Sequence, residues 1–86
     1  MHYVYCIYCR QKKFYIGYTT NINARVKAHN EGKNKSTKNK VWALIYYEAY
    51  LSKMDALKRE KHLKQRGQAI RFLKECIADS VTQCEC

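Results

Sequence analysis

Tyr3 to Gly17 reads YVYCIYCRQKKFYIG. Two short aromatic runs flank a polar, basic Arg10-Gln11-Lys12, the pattern of a β-hairpin. One run carries Tyr3-Val4-Tyr5 and the other ends in Tyr15-Ile16-Gly17. A plain hairpin core would use Val, Ile or Leu, so paired strands with this many hydroxyls invite another explanation. Cys6 and Cys9 form a C-x-x-C, which raises zinc or redox chemistry. On a strand, an offset of three turns the two side chains to opposite faces, so two small buried hydrophobes are the favoured reading.

The chain around the hairpin is short and basic. Its 86 residues make one domain with a limited core, so any active site must double as the binding surface. Seventeen Lys and Arg stand against seven Asp and Glu, a formal charge of +10. Fifteen of the basic residues and four of the acidic ones lie in residues 1–66. Such a body suits nucleic acid first and an anionic membrane surface second. No apolar run approaches the roughly 20 residues of a membrane span. The N-terminus lacks the basic and small-residue features of a signal peptide. A cytoplasmic location is therefore expected, nucleoid-associated if the partner is DNA. The five cysteines, an odd count, do not suit a closed disulfide framework. Cys84 and Cys86 fall in a C-terminal tail, residues 80–86, beyond a domain of residues 1–79.

After the hairpin, Thr19-Thr20-Asn21 supplies a helix N-cap, and Gly32 a left-handed stop for a helix over about 21–31. Ile22, Arg25, Val26 and His29 share one face of it. An Arg there needs a partner, or lies at the border with its head in water, and the residues alone favour the border. The stretch from Gly32 to Lys40 carries Lys33, Lys35, Lys38 and Lys40 with no acid, which fits a phosphate grip or a solvated loop equally well. Val41–Tyr50 is apolar on both alternating faces, as in a central strand or one with a single wet aromatic face. Ser52 and Asp55 open a second helix reaching about Gln65. Gly67 breaks it, and a third helix runs from about Gln68 to Asp79 on the stripe Ile70, Leu73, Ile77. In the second helix, Glu60 sits within the apolar sector of Ala56, Leu57 and Leu63. Three roles suit it, pairing with Lys64, pairing with Arg25, or holding a divalent cation, and an ion pair is the favoured reading from the residues alone.

Together these pieces resemble the GIY-YIG nuclease superfamily, in particular its small stand-alone members, over nearly all of residues 2–75. Tyr3-Val4-Tyr5 stands at the GIY position, with Tyr3 in place of the glycine, and Tyr15-Ile16-Gly17 at YIG. Arg25 follows Gly17 by eight residues, His29 comes one turn later, and Glu60 stands at the family's metal-binding glutamate. The resemblance implies a three-stranded antiparallel sheet flanked by helices, which agrees with the α+β order ββαβαα read from the pattern. It further implies a metal-dependent endonuclease that hydrolyses phosphodiester bonds, with DNA, single-stranded or structured, as the favoured substrate. Two alternatives stand beside it: a non-catalytic nucleic-acid-binding module and an RNA-directed nuclease.

On that resemblance the catalytic set is Tyr5, Tyr15, Arg25, His29 and Glu60. Glu60 would hold one Mg²⁺ or Mn²⁺, and Arg25 a non-bridging phosphate oxygen. Tyr5 would position or deprotonate the attacking water, supported by Tyr15 and His29, with His29 as the rival base. Tyr5 and Tyr15 must then share a face, which requires Tyr5 opposite Gly17, Ile7 opposite Tyr15 and Cys9 opposite Lys13. Gly17 is expected to leave open space before the Tyr5 hydroxyl. Tyr8, Tyr18 and Trp42 are aromatic groups that could stack on unpaired bases, though core packing is the more natural role for Trp42.

Overall fold

A computed structural model describes residues 1–9, 11–32, 41–65 and 68–85. The four loop lysines 33, 35, 38 and 40, and with them Arg10, Gly67 and Cys86, lie outside the described residues.

The hairpin consists of β1 (His2–Cys9) and β2 (Lys13–Thr19), paired antiparallel with Tyr5 opposite Gly17, Ile7 opposite Tyr15 and Cys9 opposite Lys13. This is the register expected from the tyrosines. Lys12 closes the connection: its N–H donates to the Cys9 carbonyl at 2.9 Å, and its φ of 62° is the left-handed conformation that a three-residue hairpin loop requires. The third strand, β3 (Trp42–Tyr50), pairs antiparallel with β1, giving the sheet order β2-β1-β3. β3 is thus an edge strand, and the wet-face alternative describes it. Tyr47 is 55% exposed, and the central position belongs to β1. A shift of register between Cys6 and Ile7 places both Ile45 and Tyr46 against the same side of the sheet.

Helices cover the two faces unequally. α1 (Ile22–Asn30) lies over the odd-numbered side chains of β1, where Tyr5, Ile7, Cys9 and Trp42 form a small core with Tyr15 and Val26. On the other face, α2 (Lys53–Lys64), α3 (Gln68–Cys76) and α4 (Ala78–Glu85) enclose Val4, Cys6, Ile16, Ala56, Leu63, Leu73 and Ile77. Alternation on one central strand therefore feeds two cores, because β1 is buried on both faces. Cys6 and Cys9 fall in different cores, both buried, and burial pushes the Cys6 thiol up to about 12. Their role is packing.

The caps follow the sequence. Asn21 accepts the Ala24 N–H, Gly32 takes a φ of 76° and donates to the His29 carbonyl, and Ser52 accepts the Asp55 N–H. The C-terminus differs from expectation. Helix is interrupted at Ile77 and resumes to Glu85, so residues 80–85 are helical where a tail was expected. Val81 lies four residues beyond Ile77, packs on the same core, and donates its N–H to the Ile77 carbonyl at 3.0 Å. It extends the stripe of Ile70, Leu73 and Ile77 by one turn. No helix among the described residues is long and apolar enough to cross a membrane.

Candidate active site

The odd face of the hairpin gathers the site. Tyr5 is 1% exposed at the centre of β1, and its hydroxyl lies 2.7 Å from Nε2 of His29, itself 1% exposed on α1. Tyr15 shares that face from β2, with ring centroids 6.4 Å from Tyr5 and 4.8 Å from His29, edge-on to the imidazole. The three rings brace one another, so the imidazole is held by packing as well as by the hydrogen bond.

Gly17 has a role other than the one anticipated. A Cβ built on it would lie 2.3 Å from the Tyr5 hydroxyl oxygen and 2.4 Å from its ring carbon Cζ. The glycine therefore makes room for the Tyr5 ring itself, and no open space for a substrate lies there.

Arg25 is exposed at the border of α1, with its charge beside Tyr5. Burial pushes the Tyr5 phenol above its ordinary value, and the neighbouring Arg25 offsets this only in part. Burial and the same guanidinium hold His29 below its ordinary value, so the imidazole is neutral at pH 7. Two neutral groups thus share one proton across the 2.7 Å contact. Either the Tyr5 hydroxyl donates to Nε2, or Nε2–H donates to the Tyr5 oxygen, according to the histidine tautomer.

Glu60 reaches the same neighbourhood from α2, where its charge acts on both Tyr5 and Arg25. Its carboxylate is paired with Lys64, one turn on, at 3.3 Å, with 21% of the Glu60 side chain exposed. The site thus combines β1, β2, α1 and α2. Among the described residues no group of three or more His, Cys, Asp or Glu side chains is placed to enclose a metal ion.

Some contributors were not apparent from the sequence. The Lys64 ammonium lies 5.6 Å from the Tyr15 ring centroid, so it touches both Glu60 and a site tyrosine. Its spacing from Glu60 was visible, but the aromatic contact depends on how α2 crosses β2. Asn30, which the helical wheel turns away from the core, clamps the start of β3. Its Nδ2 donates to the Trp42 carbonyl at 3.1 Å, and its Oδ1 accepts the Trp42 N–H at 2.6 Å. This ties the end of α1, and hence His29, to the sheet. The aromatic groups also change places. Tyr8 and Trp42 are buried, and Tyr18 stacks on His2 with its hydroxyl 2.7 Å from Nδ1, whereas Tyr47 stands open.

Comparison with known proteins identifies the family. The GIY-YIG catalytic domain matches residues 1–74, and the chain belongs to that family of nucleases. UPF0213 proteins of Staphylococcus haemolyticus and of Staphylococcus epidermidis are each 41% identical to it over 78 residues. Each alignment covers 86% of this chain and 95% of the relative. The solution NMR structure of a UPF0213 protein from Bacillus halodurans superposes with a TM-score of 0.57 at 30% identity. That match covers 95% of this chain and 94% of the other.

Proposed function

We propose that the protein is a metal-dependent endonuclease that hydrolyses phosphodiester bonds in DNA, with single-stranded or structured DNA favoured. The observation that carries this reading is the buried Tyr5–His29 contact of 2.7 Å beside Arg25 and Glu60. A dry, neutral proton pair next to one exposed cation and one carboxylate is expensive packing for a merely structural role.

Burial makes Tyr5 a poor phenolate, so a pre-ionised tyrosine is not the base that this geometry favours. A relay suits it better. With His29 carrying its proton on Nδ1, the Tyr5 hydroxyl donates to Nε2. As water attacks phosphorus, a water proton passes to the Tyr5 oxygen, the Tyr5 proton passes to Nε2, and the P–O bond to the leaving oxygen breaks with its electron pair. Tyr5 and His29 then act as one base, with Tyr15 holding the imidazole in line. Arg25, exposed and always charged beside Tyr5, engages a non-bridging oxygen.

Glu60 is the group for Mg²⁺ or Mn²⁺. Hard divalent ions keep several waters and accept a single carboxylate together with a substrate phosphate, so the one Glu60 carboxylate is a sufficient protein ligand for such an ion. Held there, the ion would supply charge neutralisation at the phosphate and at the leaving oxygen.

The test is cleavage of labelled single-stranded, duplex, branched and RNA substrates with Mg²⁺ or Mn²⁺, run beside Glu60→Ala. Metal-dependent cutting of DNA that Glu60→Ala abolishes is expected. Tyr5→Phe and His29→Ala should each lower the rate by roughly 10²–10⁴-fold. Near-normal cutting by Tyr5→Phe with loss in His29→Ala would make His29 the base by itself. Binding without cutting on every substrate would favour a binding module, and cutting confined to RNA would move the enzyme to that class.

A further inference from the structure

Next to Tyr5, on the same face of the sheet, lies an open groove of about 330 Å³. Tyr3, Leu44 and Tyr47 line it from the strands, and Thr20, Asn21, Ile22 and Asn23 line it from the start of α1, one apolar side chain among three polar ones. The core of that face, Tyr5, Ile7, Cys9 and Trp42, packs on Val26 further along α1, so the groove lies where only the first turn of the helix reaches the sheet. Tyr47 is the direct cross-strand partner of Tyr5, so the groove opens one strand away from the catalytic hydroxyl. Its ring is 55% exposed and meets Tyr3 edge-on at a centroid distance of 6.0 Å. Tyr3 is also where this chain departs from the GIY glycine; a glycine there would remove one of the two rings.

We propose that this groove receives an unpaired nucleobase of the substrate strand, adjacent to the phosphate held at Tyr5 and Arg25. The inference rests on the nuclease reading above and names the substrate class for that site. Three observations select a base over a peptide or a second copy of the chain. Tyr47, which lines the groove, stands directly across the strands from Tyr5, no acidic residue lines the groove among the described residues, and the chain carries a net charge of +10. An exposed tyrosine face stacks on any base, whereas a base inside a duplex offers only its edge. The site therefore prefers single-stranded, frayed or flipped-out nucleotides and is tolerant of sequence. Thr20 and Asn23, both exposed, can hydrogen-bond the edge of the stacked base.

The experiment uses single-stranded DNA carrying 2-aminopurine, with the full chain in a Glu60→Gln background so that binding is read without cutting. Quenching of the fluorophore on binding is expected. Tyr47→Ala should remove the quench and weaken binding on the order of tenfold, and Tyr47→Phe should preserve both. An abasic residue at the quenched position should reduce the difference between Tyr47→Ala and its parent. Equal binding and quenching by Tyr47→Ala and its parent would overturn the proposal, as would failure of the parent to bind the oligonucleotide. A change of sedimentation coefficient in Tyr47→Ala would also overturn it by assigning the groove to a second copy. Stacking that persists in a protein that cuts no substrate would support the groove while removing the catalytic reading.

Discussion

A methyl group on Gly17 would occupy the space of the Tyr5 hydroxyl, 2.3 Å from its oxygen. Tyr5 cannot swing aside cheaply, because it is buried and bonded to His29. Gly17→Ala is therefore expected to tilt the ring away from Nε2 at a cost of about 1–3 kcal/mol in stability. Nuclease activity should fall far more than the modest loss of folding accounts for. Thermal melts together with single-turnover cleavage check this; unchanged cleavage would show that the Tyr5–His29 contact is dispensable. The same residue scale explains why a lone reading of Arg25 or Glu60 was indecisive. Arg25 does sit exposed at a helix border, but its guanidinium finds a partner in the Tyr5 hydroxyl, and Glu60 does pair with Lys64. The charges of both residues act on Tyr5.

At the scale of elements, β3 is joined to α2 by a polar knot unconnected with the chemistry. Glu48 accepts from Tyr46, from Tyr50, and from Arg59 through Nε at 2.9 Å and Nη2 at 3.0 Å. Burial raises the Glu48 carboxyl, but the donors from Arg59 and the two tyrosines outweigh it and hold the group below the usual carboxylate range. Both tyrosines are pushed up to about 12 by burial and by this carboxylate. Glu48 has 15% of its side chain exposed and Arg59 30%, so the pair is partly screened. Glu48→Gln should cost about 1–3 kcal/mol, read as a lower midpoint in urea with an unchanged slope. Because the knot lies on the opposite face of the sheet from Tyr5, cleavage per folded molecule should be unaffected. The knot was not legible in the sequence, where Val41–Tyr50 looks merely apolar. Strand pairing and the crossing of α2 bring an acid and an arginine 11 residues apart into contact.

For the whole molecule, His29 and Glu48 couple folding to pH between acid and neutral conditions. His29 titrates below its ordinary 6.5 in the fold, and Glu48 below its ordinary 4.5. In each case the unfolded chain binds the proton more readily, so stability rises with pH across each window. The His29 contribution is complete above 6.5 and is lost as pH falls through its lowered value; the Glu48 contribution is complete above 4.5 and is lost below it. Melting temperatures recorded from acid to neutral pH should show two rising steps, and His29→Asn should erase the upper one. A single step that survives His29→Asn would mean that burial of the imidazole does not couple to folding.

Local rules were enough for much of this protein. Alternation fixed the faces of the hairpin, and short-range capping chemistry placed the ends of α1 and the start of α2; the register followed once the family resemblance required two tyrosines to meet. What lay beyond the sequence were the properties set by which element covers which. Coverage by α1 buried Tyr5 and His29 and so set their proton affinities. Packing of the Tyr5 ring over Gly17 filled a space that pattern alone left open. Packing left Tyr47 exposed while it enclosed Tyr8 and Trp42. The physical reason is that periodicity states which side chains share a face, whereas desolvation and contact depend on what the rest of the chain places above that face.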